Sequence, residues 1–172
     1  MQTLLVILLL IGILAYYFWI TNTKDAPFVP MDTDVVERVM NIAQIGPKDV
    51  FYDLGSGDGR LVIAAALRGA RAYGIELDKY RAWYSRIWIK LLRLDDKAQI
   101  INKNIFDVSL NDATVVNAYL LPETHQRLKQ KLLKELKKGT KVVAVAFKFE
   151  GWKVVDSDPR GTIYGQIYLF EI

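Results

Sequence analysis

Val50-Phe51-Tyr52-Asp53-Leu54-Gly55-Ser56-Gly57-Asp58-Gly59-Arg60 is the stretch on which the fold turns. Its first five residues are apolar but for Asp53, the pattern of a strand buried on both faces. Three glycines at alternate positions then remove side chains where the backbone must turn tightly and approach a ligand. A helix is predicted from about Arg60 to Leu67. Strand, glycine loop and helix in succession open an α/β sheet, in which ligands lie beyond the carboxyl ends of the strands where strand order reverses.

Spacing decides which ligand. A dinucleotide fingerprint reads G-x-G-x-x-G, with the helix dipole facing a pyrophosphate. Here the pattern is Asp-x-Gly-x-Gly-x-Gly, and Arg60 stands where a third glycine is required. Asp53 and Asp58 would repel a diphosphate; they suit a ligand carrying an ammonium and a sulfonium. Glu76 ends the next predicted strand, 72–77, about twenty residues on, placed to accept hydrogen bonds from both hydroxyls of a ribose.

Outward from the loop, strands and helices alternate. A helix over the apolar positions Val35, Val36, Val39, Met40 and Ala43 precedes it, capped by Asp32, Thr33 or Asp34 and stopped by Gly46-Pro47. After Glu76 come a long helix at 79–94, strands at 98–104 and 113–120, a leucine- and lysine-rich helix from Pro122 toward Gly139, and a strand at 141–147. The tail reads as a hairpin, Trp152 to Ser157 and Ile163 to Ile172, turning at Asp158-Pro159-Arg160-Gly161. The alternation predicts a mainly parallel sheet with helices on both faces.

Composition narrows the chemistry. The chain has 172 residues, no cysteine and one histidine, His125. Disulfides and thiolate or histidine metal centres are excluded, leaving carboxylates, hydroxyls, backbone amides or a bound cofactor. The net charge of +4 suits an anionic membrane, nucleic acid or an acidic protein without choosing among them.

Leu4 to Ile20 carries no charge, and with Thr3 and Thr21 reaches the low end of the length that crosses a hydrocarbon core of about 30 Å. Tyr16, Tyr17 and Trp19 cluster at one end, as rings at a headgroup layer do. A cleaved signal peptide is the alternative, but the segment has no basic start and no small-x-small site follows it. Basic residues lie only on its C-terminal side (Lys24, Arg38, Lys48), which places the body in the cytoplasm of a single-pass membrane protein.

Residues 49–59 and 72–77 resemble motifs I and II of class I S-adenosylmethionine-dependent methyltransferases. More narrowly, Pro27-Phe28-Val29-Pro30, the helix after it, the 53–60 loop and Tyr119-Leu120-Leu121-Pro122-Glu123 are similar to the small archaeal protein-lysine methyltransferases and the membrane-anchored FAM173 family. The resemblance spans most of residues 27–172. It implies a Rossmann-like class I methyltransferase fold with a seven-stranded, mainly parallel sheet and a C-terminal antiparallel hairpin, and S-adenosyl-L-methionine as cofactor. Asp53 and Gly55, Ser56, Gly57, Asp58 and Gly59 would hold its methionine moiety, and Glu76 the ribose. Asn104-Ile105 stands where the family often has Gly-Asp-Leu framing the adenine; Asn keeps an acceptor but loses the charge. Pro27 to Pro30 would cover the cofactor as a lid.

On the acceptor side, Asn117, Tyr119 and Glu123 at the end of the fourth strand are the polar candidates near the sulfonium. Tyr119 and Glu123 are the candidates to handle the acceptor's proton, against simple core packing for the first and a favoured first-turn position for the second. His125 is expected on the surface. Two basic stretches, Lys79 to Arg93 with Tyr80, Trp83, Tyr84 and Trp88, and Arg127 to Lys138, read either as solvated faces or as contacts for anionic lipid headgroups. Nucleic acid ranks below lipid, and no metal is expected.

The expected organisation is a transmembrane anchor at 1–21, a linker and lid at 22–31, and a methyltransferase domain at 32–172. The expected activity is methylation of lysine side chains of protein near the membrane. Methylation of a lipid or small molecule, and a non-catalytic S-adenosylmethionine-binding membrane module, are the competing readings.

Overall fold

β1 (Val50–Leu54) is buried at all five positions, because parallel neighbours flank it and helices cover both its faces. The computed structural model describes residues 2–21, 28–162 and 164–172, with side-chain environments for 4–14, 28–160 and 164–172. The elements around β1 are α1 (Gln2–Thr21), α2 (Thr33–Ile42), α3 (Arg60–Leu67), β2 (Arg71–Ile75), α4 (Lys79–Leu91), β3 (Ala98–Ile101), β4 (Val115–Ala118), α5 (Pro122–Glu135), β5 (Lys141–Val145), β6 (Asp156–Thr162) and β7 (Gly165–Glu171).

The seven strands lie in the order β3-β2-β1-β4-β5-β7-β6. All pairings from β3 through β5 are parallel, while β7 runs antiparallel to both β5 and β6. Strand order reverses between β1 and β4, so a crevice opens at their carboxyl ends, where the glycine loop begins. The sheet separates two cores. Phe51, Val115 and Val143 face α2, α3 and the inner side of α4, whereas Tyr52, Val116 and Val142 face Leu128 and Leu132 of α5 together with Phe149. This is the side-chain alternation of a pleated strand, with an apolar layer on each face.

The expected sheet and hairpin are present, with four adjustments. β2, β3, β4 and β5 stop before the expected residues 77, 104, 120 and 147, so Glu76 and Asn104 sit in the loops just past their strands. Helices α4 and α5 likewise end at Leu91 and Glu135. The hairpin turns between Thr162 and Gly165, not at Asp158 to Gly161, which belong to β6; Ile163 lies outside the described residues. Pro159 is tolerated because β6 is the edge strand, where a missing N–H leaves no ladder bond unmade. Arg38, expected as a basic flank, is buried: its Nε donates to Asp158 Oδ2 at 2.7 Å and its Nη2 to the Arg160 carbonyl at 2.6 Å, locking α2 to β6.

Helix α1 exposes the side chains described along it, Leu4 to Leu14. Among the described residues, no helix is long and apolar enough to cross a membrane. The linker expected at 22–31 is described only from Phe28 onward.

Candidate active site

The loop after β1 is held against β2 from its first residues. Gly55 and Ser56 both donate to the Ile75 carbonyl, at 2.9 and 3.0 Å. Gly57 has a φ of 56° and Gly59 of 80°, in the left-handed region where a side chain is strained. Space is also short: a Cβ on Gly57 would lie 2.7 Å from the Phe28 ring, and one on Gly59 2.9 Å from Ser85 Cβ. Ser85, on the inner face of α4, donates to the Gly57 carbonyl at 2.9 Å.

Glu76 ties the loop to the second strand. Its Oε2 accepts from the Gly57 amide and its Oε1 from the Asp78 amide, each at 2.8 Å, with Arg81 Nε 3.4 Å away. A carboxylate offers about four acceptor positions, so with these three donors in place Oε2 keeps room for a ligand hydroxyl. The turn beneath it is fixed by Asn102, whose Nδ2 donates to the Glu76 and Leu77 carbonyls at 2.7 and 2.9 Å. Asp78 caps α4, accepting from the amides of Tyr80 and Arg81. An Asp just ahead of a predicted helix is a capping signal visible in the sequence; nothing local marks Asn102 or Ser85.

Asp53 and Asn117 lie side by side on β1 and β4, both buried, with Asn117 Nδ2 donating to Asp53 Oδ1 at 2.8 Å. Burial pushes the Asp53 carboxyl up to about 7; the Asn117 hydrogen bond opposes the shift, and the charges of Glu76 and Asp58 add to it. Asn117 Oδ1 and Ser56 Oγ are buried without a hydrogen-bond partner among the described residues. Asp58 is paired with Arg60, whose Nε lies 2.9 Å from Asp58 Oδ1 and whose Nη1 also donates to the Met31 carbonyl. Arg60 thus joins the glycine loop to the segment ahead of α2.

These groups surround a cavity of about 370 Å³ at the carboxyl ends of β1, β2 and β4. Of the expected cofactor residues, Asp53, Gly55, Ser56, Gly57, Asp58, Glu76, Asn104 and Ile105 line it. Gly59 and Asn117 do not: Gly59 backs onto Ser85, and Asn117 reaches the cavity only through Asp53. Asn104 Oδ1 also accepts from the Phe106 amide at 3.0 Å, capping a 3-10 turn at Ile105–Asp107. Phe28, Val29, Pro30 and Met31 line the cavity on one side, and Arg81 lies 5.4 Å from the Phe28 ring centre. Pro27 lies outside the described residues.

The acceptor side differs more from expectation. Tyr119 lines the cavity, and burial raises its phenol pKa, keeping it protonated near neutrality. Glu123 is exposed on the first turn of α5 and lies outside the cavity; Thr124 and Arg127, which the sequence reading missed, line it instead. Arg127 packs over the Phe106 ring, 4.7 Å from its centre. His125, expected on the surface, is fully buried and stacked 4.7 Å from Phe149. It shares the inner stripe of α5 with Leu128 and Leu132, three and seven residues on, a spacing that already placed it inward. Burial lowers its pKa, although the carbonyls of Phe147 and Ala118 favour the charged form; neither ring nitrogen closes a well-formed hydrogen bond.

A cavity edged by carboxylates, with a glycine turn too tight for side chains and the buried, unpartnered Ser56 hydroxyl on its wall, fits S-adenosylmethionine, which brings an ammonium, a sulfonium and a diol. It does not fit a diphosphate. Among the described residues, no cluster of His, Asp and Glu could hold a metal ion.

Comparison with known proteins agrees. The profile of the ANTKMT methyltransferase domain matches residues 53–156. A protein-lysine N-methyltransferase of Saccharolobus islandicus (strain REY15A) is 38% identical over 146 residues, covering 80% of this chain and 91% of that protein. The adenine nucleotide translocase lysine N-methyltransferase of Mus musculus is 34% identical over 139 residues, which is 80% of this chain but 60% of the mouse protein. The crystal structure of an RNA methyltransferase from Salinibacter ruber in complex with S-adenosyl-L-homocysteine matches with a TM-score of 0.79 and 35% identity, covering 84% of this chain and 94% of that one. With the glycine loop, the Glu76 carboxylate and the fold in place, the chain belongs to the ANTKMT methyltransferase domain family and is an S-adenosylmethionine-dependent methyltransferase.

Proposed function

We propose that this enzyme methylates lysine side chains of protein and is tethered to a membrane by α1. The observation that carries the acceptor is the match to the protein-lysine N-methyltransferase of Saccharolobus islandicus, which extends over 91% of that protein. S-adenosylmethionine supplies an electrophilic methyl group on a positively charged sulfur. Asp53, when ionised, faces the ammonium of the donor; the backbone of Gly55 to Gly59 receives its methionine part, Glu76 its ribose, and Asn104 with Ile105 its adenine.

The acceptor amine must arrive neutral and in line. Tyr119 and Leu120 bring a largely apolar wall to the cavity, and desolvation there lowers the pKa of an entering lysine. The Tyr119 phenol stays protonated, so its part is to orient the amine through its oxygen, with alignment supplying most of the acceleration. Glu123 is left to the first-turn dipole of α5.

The tether rests on the uncharged 20-residue span of α1, and the basic side chains that follow it support a cytoplasmic enzyme domain. Carbonate extraction of membranes carrying the full chain checks it, and complete release into the supernatant would contradict it. For the acceptor, tritiated donor is incubated with native membranes and cytosol, then protein, lipid and RNA are separated. Label in protein that co-migrates with methyl-lysine after hydrolysis is expected. Label confined to lipid or to RNA would overturn the lysine reading and leave the methyltransferase assignment intact.

A further inference from the structure

Helix α4 carries two stripes of side chains, one buried and one exposed. Ala82, Ser85 and Ile89 face the sheet. On the other side Tyr80, Trp83, Tyr84, Ile87, Trp88 and Leu91 recur at i, i+3, i+4, i+7, i+8 and i+11, each between 36% and 67% exposed. Soluble surfaces scatter such residues singly; a continuous stripe of six on one helix marks a contact surface.

Its borders carry one sign of charge. At about 100° per residue, Lys79, Arg86 and Lys90 fall along one edge of the stripe and Arg81 along the other. The helix has no acidic side chain. Lys79 sits 5.0 Å from the Tyr80 ring centre, and Tyr84 meets Trp88 edge to face at 6.1 Å. Arg86 is occupied, donating to the Ile100 carbonyl at 2.8 Å, so Lys79 and Lys90 are the cations turned to an outside partner.

We propose that this face of α4 docks on an anionic lipid surface. Amphipathic rings with aliphatic neighbours, flanked by Lys and Arg without acids, match the headgroup–acyl boundary in polarity and charge. A protein interface of this size is depleted in lysine. Nucleic acid would use the rings for stacking, but Ile87 and Leu91 in mid-stripe offer no stacking face. The stripe begins next to Arg81 and close to Leu77, both lining the cofactor cavity, so a docked α4 holds the cavity rim against the same surface. The inference does not need α1 to cross the bilayer.

The test uses the full chain with Trp19→Phe and Trp152→Phe, so that emission comes from Trp83 and Trp88 alone. Vesicles of phosphatidylcholine with brominated acyl chains are added with and without phosphatidylglycerol. Blue-shifted, quenched emission is expected with the anionic vesicles and reversed by salt. Lys79→Gln with Lys90→Gln, at roughly fivefold per cation, should shift the docked equilibrium of vesicle-bound chain about twenty-five-fold, read as lost quenching. Binding of S-adenosylmethionine should stay unchanged in that variant. Vesicle-bound chain with unshifted, unquenched emission would mean that α1 tethers alone and overturns the docking, as does an absence of vesicle binding. An emission change that requires added single-stranded RNA, or higher protein concentration without vesicles, assigns the face to RNA or to a second copy and equally overturns it.

Discussion

Asp53 is the residue where stability and activity pull apart. Its carboxyl is buried, and burial holds its pKa near 7. Because the folded value lies above the unfolded value of about 4, the folded state binds the extra proton. Stability is therefore full below about pH 4 and falls as the pH rises toward 7. Asp53→Asn keeps an oxygen to accept from Asn117 but carries no charge. It should raise the unfolding free energy at pH 8 by on the order of 2 kcal/mol, read by thermal melts without ligand, while weakening S-adenosylmethionine about a hundredfold by calorimetry. In the unaltered enzyme, affinity should fall about tenfold per pH unit below 7, since the ammonium needs the ionised form. A flat profile between pH 6 and 8 would refute the pairing of Asp53 with the ammonium. Asp53 and the glycines were legible because their types are constrained by chemistry within one short loop. Arg60 was legible only as a missing glycine, since its partners on residues 58 and 31 meet it in space.

At the scale of elements, the site depends on how its walls are fastened. Arg60 fixes the Phe28 to Met31 segment to the loop through the Met31 carbonyl. Arg60→Met should leave the melting temperature nearly unchanged while raising the dissociation rate of S-adenosylmethionine roughly tenfold in stopped flow, the worth of a charged hydrogen bond. Across the sheet, the start of α5 is packed by His125 on Phe149, which stacks in turn 4.7 Å from Trp152. His125→Phe removes two unpartnered ring nitrogens and should be neutral or stabilising, whereas His125→Ala should cost about 3 kcal/mol through the cavity it leaves. The folded pKa of His125 lies below its unfolded value, so its protonation favours the unfolded chain; stability should drop below about pH 6.5 and not do so in His125→Phe. A clear loss of stability in His125→Phe at pH 8 would mean that the Phe147 or Ala118 carbonyl holds the ring. Strand and helix cores were readable from periodicity. Their ends were not, because β2 and β3 stop where side chains of Glu76 and Asn104 capture turn amides instead of continuing the ladder.

Over the whole molecule, Arg38 joins the first helix of the domain to the last edge of the sheet, 120 residues away. Its partner Asp158 is held well below the usual carboxylate range by Arg160 and then by Arg38 itself, so this contribution is present above about pH 4 and lost as acid protonates it. Arg38→Met, which removes the donor from the Arg160 carbonyl and leaves Asp158 to Arg160 alone, should lower stability by about 3 kcal/mol, or roughly 10 °C in melting temperature, without changing the cofactor contacts. An unchanged melting temperature would show the clamp to be incidental. The sequence by itself determined the sheet-and-helix alternation, the glycine loop and the acids that edge its cavity, because each is written in local spacing. Only the tertiary structure decided that the Asp-Pro-Arg-Gly stretch is an edge strand, that Arg38 and His125 are interior, that Thr124 and Arg127 take the cavity place expected for Glu123, and that α4 carries an exposed aromatic face. Each of those follows from which distant surface a side chain meets, and burial, unlike periodicity, is a property of the assembled sheet.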